Sequence, residues 1–271
     1  MNLDVLMSCM HQRDDTLVRK SGLTGNVVVI NQCDRDGFEE YPTAHGTARI
    51  YSVTQRGLTK SRNMAVSRSE ADICLLCDDD EQFVPDYEGK ILSAYDQLPE
   101  ADVIIFKIGN RPASFPDRIM RLRFPKTMKV SSWQISFRRA RILDAGVRFD
   151  ELTGAGTGNG AEEELKFLTD CEKAGLRIYY VPALIASVAQ TESTWFHGYT
   201  EAFFENRGAT THYILGPCLA ALYAVYFVIR KRPLYRDTIS PGKALRATFR
   251  GIWEDKIGKQ AKRRRNEGTN A

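Results

Sequence analysis

The chain is poor in the side chains that most often build metal or redox centres: its 271 residues include four His and six Cys. Cys74 and Cys77 form one C-x-x-C, with no second pair and no His cluster beside it. That spacing argues against zinc or redox work. It leaves buried thiols in a reducing cytosol as the expected state of Cys9, Cys33, Cys74 and Cys77, which sit in apolar runs. No basic leader precedes the first apolar run, Leu3–Met7, so no secretory signal is expected. The segment after that run, Ser8–Asp14, contains no glycine, which excludes a glycine-rich phosphate loop at the first strand. Basic and aromatic residues do not interleave, so nucleic acid is not an expected partner. His11, His45 and His212 belong to no constellation.

What is present is an uneven charge. The formal net charge is +4, but Arg230–Ala271 holds 13 Lys/Arg against 4 Asp/Glu, so the body before it is mildly acidic. A basic tail on an acidic body suits an anionic surface.

Short apolar runs alternate with helical patterns along the body. Leu3–Met7, Asn26–Ile30, Ala48–Val53, Ile73–Cys77, Val103–Ile108, Gln134–Arg138 and Arg177–Val181 read as strands. Between them, residues 14–21, Leu58–Arg68, Asp86–Leu98, Arg139–Ala145 and a segment ending at Lys173 read as helices. Continuous apolar strands alternating with helices predict a doubly wound α/β sheet. Its ligands belong beyond the carboxyl ends of the strands.

The strand Ile73–Cys77 stops on Asp78-Asp79-Asp80. A buried strand cannot continue through three charges, so it must emerge there and turn its acids into a crevice. Carboxylates that close together repel, and a hard divalent cation shared with a phosphate offsets the cost. A second acid group, Glu162-Glu163-Glu164, opens the helix ending at Lys173 and follows Gly154–Gly160, with glycine at every second position. Such a loop bends sharply and lets backbone approach a ligand; acids in a first turn also favour the helix dipole.

Residues 213–229 contain no charge and are closed by Arg230-Lys231-Arg232. As a helix of 17 residues they reach about 25 Å, at the short limit for crossing a bilayer core of ~30 Å. Leu245, Phe249, Ile252, Trp253 and Ile257 fall on one face of a basic helix, the composition of an element lying among lipid headgroups. Packing of both segments on the body is the alternative.

Taken in order, these pieces resemble a family 2 glycosyltransferase of the GT-A fold, over roughly residues 1–205. Asn31-Gln32 ends a strand where the family has an acidic nucleotide contact. Arg56-Gly57-Leu58 through Arg62-Asn63 resembles its Gly…Ala-Arg-Asn segment. Asp78-Asp79-Asp80 resembles the Asp-x-Asp metal motif, and Gly160 with Glu162–Glu164 resembles the later acidic motif that supplies the base. Asn31-Gln32-Cys33-Asp34, Arg62-Asn63 and Glu192-Ser193-Thr194-Trp195-Phe196 are similar to a bacterial subgroup associated with surface-polysaccharide gene clusters. The family's Pro-Thr after the first strand is Ser8-Cys9 here, and Asn31 stands where an aspartate is usual.

The resemblance implies a GT-A, nucleotide-diphospho-sugar transferase-like mixed sheet over 1–205 and a helical, basic C-terminal appendage over 206–271. It implies inverting transfer of a sugar from a nucleotide-diphosphate donor to an acceptor hydroxyl in bacterial glycan assembly. Ser8, Cys9, Asn31, Arg56, Arg62, Asp78 and Asp79 are then donor contacts. Asp80 and Asp78, with His197 in addition, hold Mg²⁺ or Mn²⁺. Glu164, Glu163 or Glu162 is the base. Gly158, Gly160 and Trp195 face the acceptor, a saccharide or lipid-linked saccharide. The expected location is the cytoplasm, with the basic, apolar C-terminus toward the inner face of the plasma membrane. The rival readings are a sugar nucleotidyltransferase, and a non-catalytic nucleotide-binding or scaffolding subunit.

Overall fold

The structure is a computed structural model that describes residues 1–154, 156–160, 162–188 and 198–269. Its contacts divide the chain into two compact units, Met1–Phe149 with Glu164–Thr191, and Asp150–Glu163 with Glu192–Ala271. The division expected at residue 205 falls inside the helix Glu201–Leu215.

The first unit is a sheet with helices on both faces. In chain order its elements are β1 (Leu3–Met10), α1 (Thr16–Lys20), β2 (Asn26–Gln32), β3 (Gly37–Pro42), β4 (Thr47–Val53), α2 (Leu58–Arg68), β5 (Ile73–Cys77), β6 (Glu81–Phe83), α3 (Tyr87–Gln97), β7 (Val103–Gly109), β8 (Met120–Leu122), β9 (Ile135–Arg138), α4 (Arg139–Asp144), α5 (Glu163–Lys173) and β10 (Ile178–Val188). The strand order is β3-β4-β2-β1-β5-β9-β7-β10-β6, with β8 pairing β10 off that path. β1 runs parallel to β2 and β5, β2 to β4, and β7 to β10. β9 is antiparallel to both β5 and β7, which makes the sheet mixed.

Alternation within each strand explains the two cores. Val5 and Met7 join Val27, Val29 and Leu75 on one face, with Tyr87 and Ile91 of α3. Leu6 joins Val28, Ile30, Cys74 and Leu76 on the other, with Ala65 of α2 and Phe167 and Leu168 of α5. A strand covered on both faces has no solvent side to write in polar residues, which is why β1, β2 and β5 read as continuous apolar runs. The parallel strands β1, β2, β4 and β5 end at one edge, where Asp78–Asp80 follow β5. Gly57 leads into α2 with φ 123°, a conformation open to glycine, and its N–H donates to Gln32 Oε1 at 2.7 Å.

The second unit is helical: α6 (Glu201–Leu215), α7 (Pro217–Arg230), α8 (Arg232–Tyr235), α9 (Pro241–Glu254) and α10 (Lys256–Thr269). Its core gathers Phe204 of α6, Phe227 and Val228 of α7, Tyr235, and Ala244 and Ala247 of α9. α6 and α9 cross backbone to backbone. A Cβ on Gly251 would lie 1.9 Å from the Glu205 carbonyl oxygen, and one on Gly208 would lie 2.0 Å from that of Thr248.

Two expectations for this region are corrected. The charge-free stretch 213–229 is not one helix: Gly216 (φ 79°) separates α6 from α7, and Pro217 starts the latter at its first turn. No helix among the described residues is long and apolar enough to cross a membrane. The stripe on α9 does not lie open to lipid either. Ile252 is buried, Ile257 is buried beyond the break at Asp255 on α10, and Leu245 and Phe249 pack against the unit's cores, so Trp253 alone of that set is exposed.

Candidate active site

The site begins where β5 ends. Asp78 accepts from Arg62 Nη2 through Oδ1 at 3.0 Å and from Ser132 Oγ through Oδ2 at 2.6 Å. Arg62 projects from α2 and is buried, with its guanidinium 5.6 Å from the centre of the Phe149 ring. Its Nη1 lies 3.4 Å from Glu164 Oε1, in the first turn of α5. Arg62 therefore touches one member of each acid group. A two-pronged guanidinium suits this, since it can bind two carboxylates while stacked on an aromatic ring.

The remaining acids of the turn carry less compensation. Burial, and then the charge of Asp78, push the carboxyls of Asp79 and Asp80 above the ordinary aspartate range. Glu81 is buried, and burial followed by Asp78 raises it well above the glutamate range. Its Oε1 accepts the Asp78 N–H at 2.7 Å, which closes the acidic turn on itself.

Ser132 reaches Asp78 because a short 3₁₀ turn, Ser132–Gln134, presents it. A reciprocal capping box between Ser131 and Gln134 holds that turn, and Gln134 Nε2 donates to the Phe106 carbonyl at 2.9 Å. Beside it lies a cavity of about 160 Å³ lined by Lys107, Arg111, Ser131, Trp133 and Tyr180 among others. Arg111 stands 5.4 Å from the Trp133 ring centre. A larger, open hollow of about 520 Å³ lies by β3 and β4, and no residue of either acid group lines it.

The other expected donor contacts are placed as follows. Ser8 is buried and accepts from Ser61 Oγ at 2.8 Å. Cys9 is buried, and burial, then Asp79, push its thiol up to about 12. Asn31 is buried and committed to the chain: Oδ1 accepts the Gln12 N–H at 2.9 Å, and Nδ2 donates to the Gln12 carbonyl at 2.9 Å and Ser52 Oγ at 3.0 Å. An aspartate there would lack both donors, which accounts for the amide. Arg56 staples two loops, donating to the Cys33 carbonyl at 2.7 Å and to Asp34 Oδ1 at 2.6 Å.

In the second unit, Glu162 has φ 101° and pairs with Arg207 of α6. The glycine loop is tied down within that unit. Gly154 N–H donates to the Gly160 carbonyl at 2.9 Å, and Thr210 Oγ1 to the Asn159 carbonyl at 2.6 Å. Gly158 and Gly160 hold positive φ in this turn, at 76° and 81°. Glu163 is buried at the start of α5. Trp195 and His197 lie outside the described residues.

Among the described residues, no three His, Cys, Asp or Glu side chains gather into a set able by itself to hold a metal ion. Asp78 already has both oxygens engaged, which leaves Asp79 and Asp80 as the hard oxygen donors of the turn. Such a donor set fits a cation that takes its other ligands from a phosphate, and not one enclosed by protein alone.

Sequence reasoning did not single out Ser132, Ser61 or Glu81. Nothing local marks the two serines, whose partners lie 54 and 53 residues away. Glu81 was visible as the fourth acid in a row.

A mixed sheet of this order, with an acidic turn after β5 and a second acid at the start of a later helix, has the GT-A arrangement expected from the sequence. The profile described as Glycosyl transferase family 2 matches residues 10–156, more than half of the chain. The chain belongs to glycosyl transferase family 2. No curated protein matches it by sequence. Among solved structures, residues 1–349 of S. aureus TarS give a TM-score of 0.59 at 14% identity, covering 93% of this chain and 81% of that one. The same fragment with UDP-GlcNAc gives 0.58 at 15% identity, over 90% and 69%. Of the chain in the S. aureus TarS structure, this protein covers 46%, at a TM-score of 0.58 and 15% identity. At such identity the likeness concerns the fold. Family membership sets aside the nucleotidyltransferase alternative.

Proposed function

We propose that the protein transfers a sugar, with inversion, from a nucleotide-diphosphate donor to an acceptor hydroxyl in bacterial polysaccharide assembly. The observation that carries this reading is Arg62, which joins Glu164 to Asp78 two residues from Asp80. The similar fold that holds UDP-GlcNAc supports a uridine-diphosphate sugar as the first donor to test.

The reaction must do two things: take a proton from a weak nucleophile, and stabilise the charge that develops on a leaving diphosphate. The acceptor oxygen attacks the anomeric carbon, the bond from that carbon to the diphosphate oxygen breaks, and its electron pair leaves with the diphosphate. Glu164 takes the acceptor proton, with Glu163 its neighbour in the same helical turn. Glu162 is left out, since its carboxylate serves Arg207. Arg62 holds Asp78 and Glu164 in place. Asp80, with Asp79 beside it, is the residue that would hold Mg²⁺ or Mn²⁺ against the diphosphate. When bound, that ion supplies Lewis-acid stabilisation of the leaving group. The lining of Arg111, Trp133 and Lys107 offers an apolar face and cations to a saccharide. The acceptor is a saccharide or lipid-linked saccharide, and the protein works as a peripheral protein on the cytoplasmic face of the membrane.

The test is release of nucleoside diphosphate from a panel of nucleotide sugars, with Mn²⁺ and with EDTA, alongside a thermal-shift screen of the same panel. Stabilisation by one donor together with metal-dependent turnover is expected. Donor binding without turnover on any acceptor would instead point to a non-catalytic subunit.

A further inference from the structure

Helix α7 is apolar on two faces. On one, Ala220 and Ala224 pack with Ile252 of α9, and Phe227 and Val228 join the core around Phe204. The other carries Leu219, Leu222, Val225, Tyr226 and Ile229, a repeat of three and four residues that keeps to one side of a helix. This second face is open: Leu222 is 69% exposed, Tyr226 59% and Ile229 70%. A helix that packs one stripe on a soluble core carries polar residues opposite it. Here no charge appears until Arg230. Arg230, Lys231, Arg232 and Arg236 then follow, all exposed. Among the described residues only Arg236 has an acidic partner, Asp237 at 3.6 Å. Trp253 of α9 is 73% exposed and follows Ile252, the residue that packs with Ala220 and Ala224.

We propose that the outer face of α7 docks in the plane of an anionic membrane. Leu222, Tyr226 and Ile229 enter the boundary between headgroups and acyl chains, and Arg230, Lys231 and Arg232 meet lipid phosphates. The proposal deepens the peripheral placement given above and names the element responsible, which is α7 and not the stripe on α9. Three features select this occupant. At 14 residues the helix is about 21 Å long, short of a bilayer core of ~30 Å, so it lies on the surface and does not span. Five side chains on one helix offer a few hundred Å², below the roughly 800 Å² per partner of a stable protein interface, which disfavours a second copy. The cations at the end of the stripe, with Tyr226 within it, complement anionic headgroups.

The test is co-sedimentation of the full chain with vesicles of phosphatidylcholine alone, or of phosphatidylcholine mixed with phosphatidylglycerol. Binding is expected only to the mixed vesicles. Leu222→Glu with Ile229→Glu should weaken it at least tenfold. Arg230→Gln, Lys231→Gln and Arg232→Gln together should weaken it on the order of a hundredfold, about fivefold per cation. Independently of any variant at α7, bromine-labelled phosphatidylglycerol should quench Trp253 fluorescence in the wild-type chain, and Trp253→Phe should remove that signal. Unweakened binding of the Leu222/Ile229 variant, equal binding to both vesicles, or no quenching would overturn the proposal. A dimer that dissociates on Leu222→Glu would do so as well. Nucleoside-diphosphate release on a soluble acceptor should be unchanged in these variants. Its absence in the wild type, with lipid binding intact, would count against the transferase reading and leave this one standing.

Discussion

Replacing Arg62 with Met is the most informative single change. The guanidinium is buried against Phe149 and reaches two carboxylates, Asp78 at 3.0 Å and Glu164 at 3.4 Å. Methionine fills much of the aliphatic volume but leaves both acids without their cation. Breaking a buried pair on one side costs ~3–5 kcal/mol, because the remaining charge is stranded. The side chains of Asp78 and Glu164 keep 25% and 18% exposure, so some water reaches them and the lower end, ~3 kcal/mol, applies. For a unit of this size each kcal/mol shifts Tm by about 2–4 °C, so thermal unfolding should move down by roughly 6–12 °C. Arg62→Lys should restore only part of the loss, since an ammonium lacks the planar fork that reaches both carboxylates. A double-mutant cycle of Arg62→Met with Asp78→Asn isolates the pair, and about 1–3 kcal/mol of coupling is expected. A Tm loss below ~2 °C, or a coupling indistinguishable from zero, would refute the role assigned to Arg62.

Three further outcomes can be measured. Glu164→Gln should lower kcat by ~10²–10⁴ with little change in donor binding, read by turnover and calorimetry; the same loss confined to Glu163→Gln would move the base by one residue. Gly251→Ala should destabilise the helical unit by about 1–3 kcal/mol or more, because its Cβ meets the Glu205 carbonyl oxygen and neither backbone can yield cheaply; unchanged denaturant unfolding would show that the α6–α9 crossing is looser than described. Cys218 is the one exposed thiol of the six, while burial raises those of Cys9 and Cys74 to about 12, so an aromatic disulfide reagent should titrate one thiol in the folded chain and six after unfolding.

How much of this was legible before the structure depends on how local each cause is. The runs Leu58–Arg68 and Ile73–Cys77 fold over the same residues that their sequence marks, since a helix start after glycine and a doubly buried strand are written in adjacent side chains. The same holds for the acidic turn, because no continuous strand passes through three aspartates. The short strands β3, β6 and β8 were not legible: each is antiparallel to a partner elsewhere and has no core pattern of its own. Residues 213–229 showed apolar character but not its use, and the break at Gly216 turned one long stretch into the end of one helix and the start of another.

By itself, then, the sequence determined the alternating α/β body, the edge at which its acids emerge, and the resemblance to a nucleotide-sugar transferase, all consequences of near-neighbour chemistry. Only the tertiary structure decided which acid serves which partner. Glu162 and Glu164 are two residues apart, yet one turns to Arg207 and the other to Arg62, 45 and 102 residues away. Glu162 holds a positive φ of 101° just before α5, while Glu164 lies in its first turn, so neighbours with the same chemistry face different surroundings, and those surroundings are assembled by distant parts of the chain.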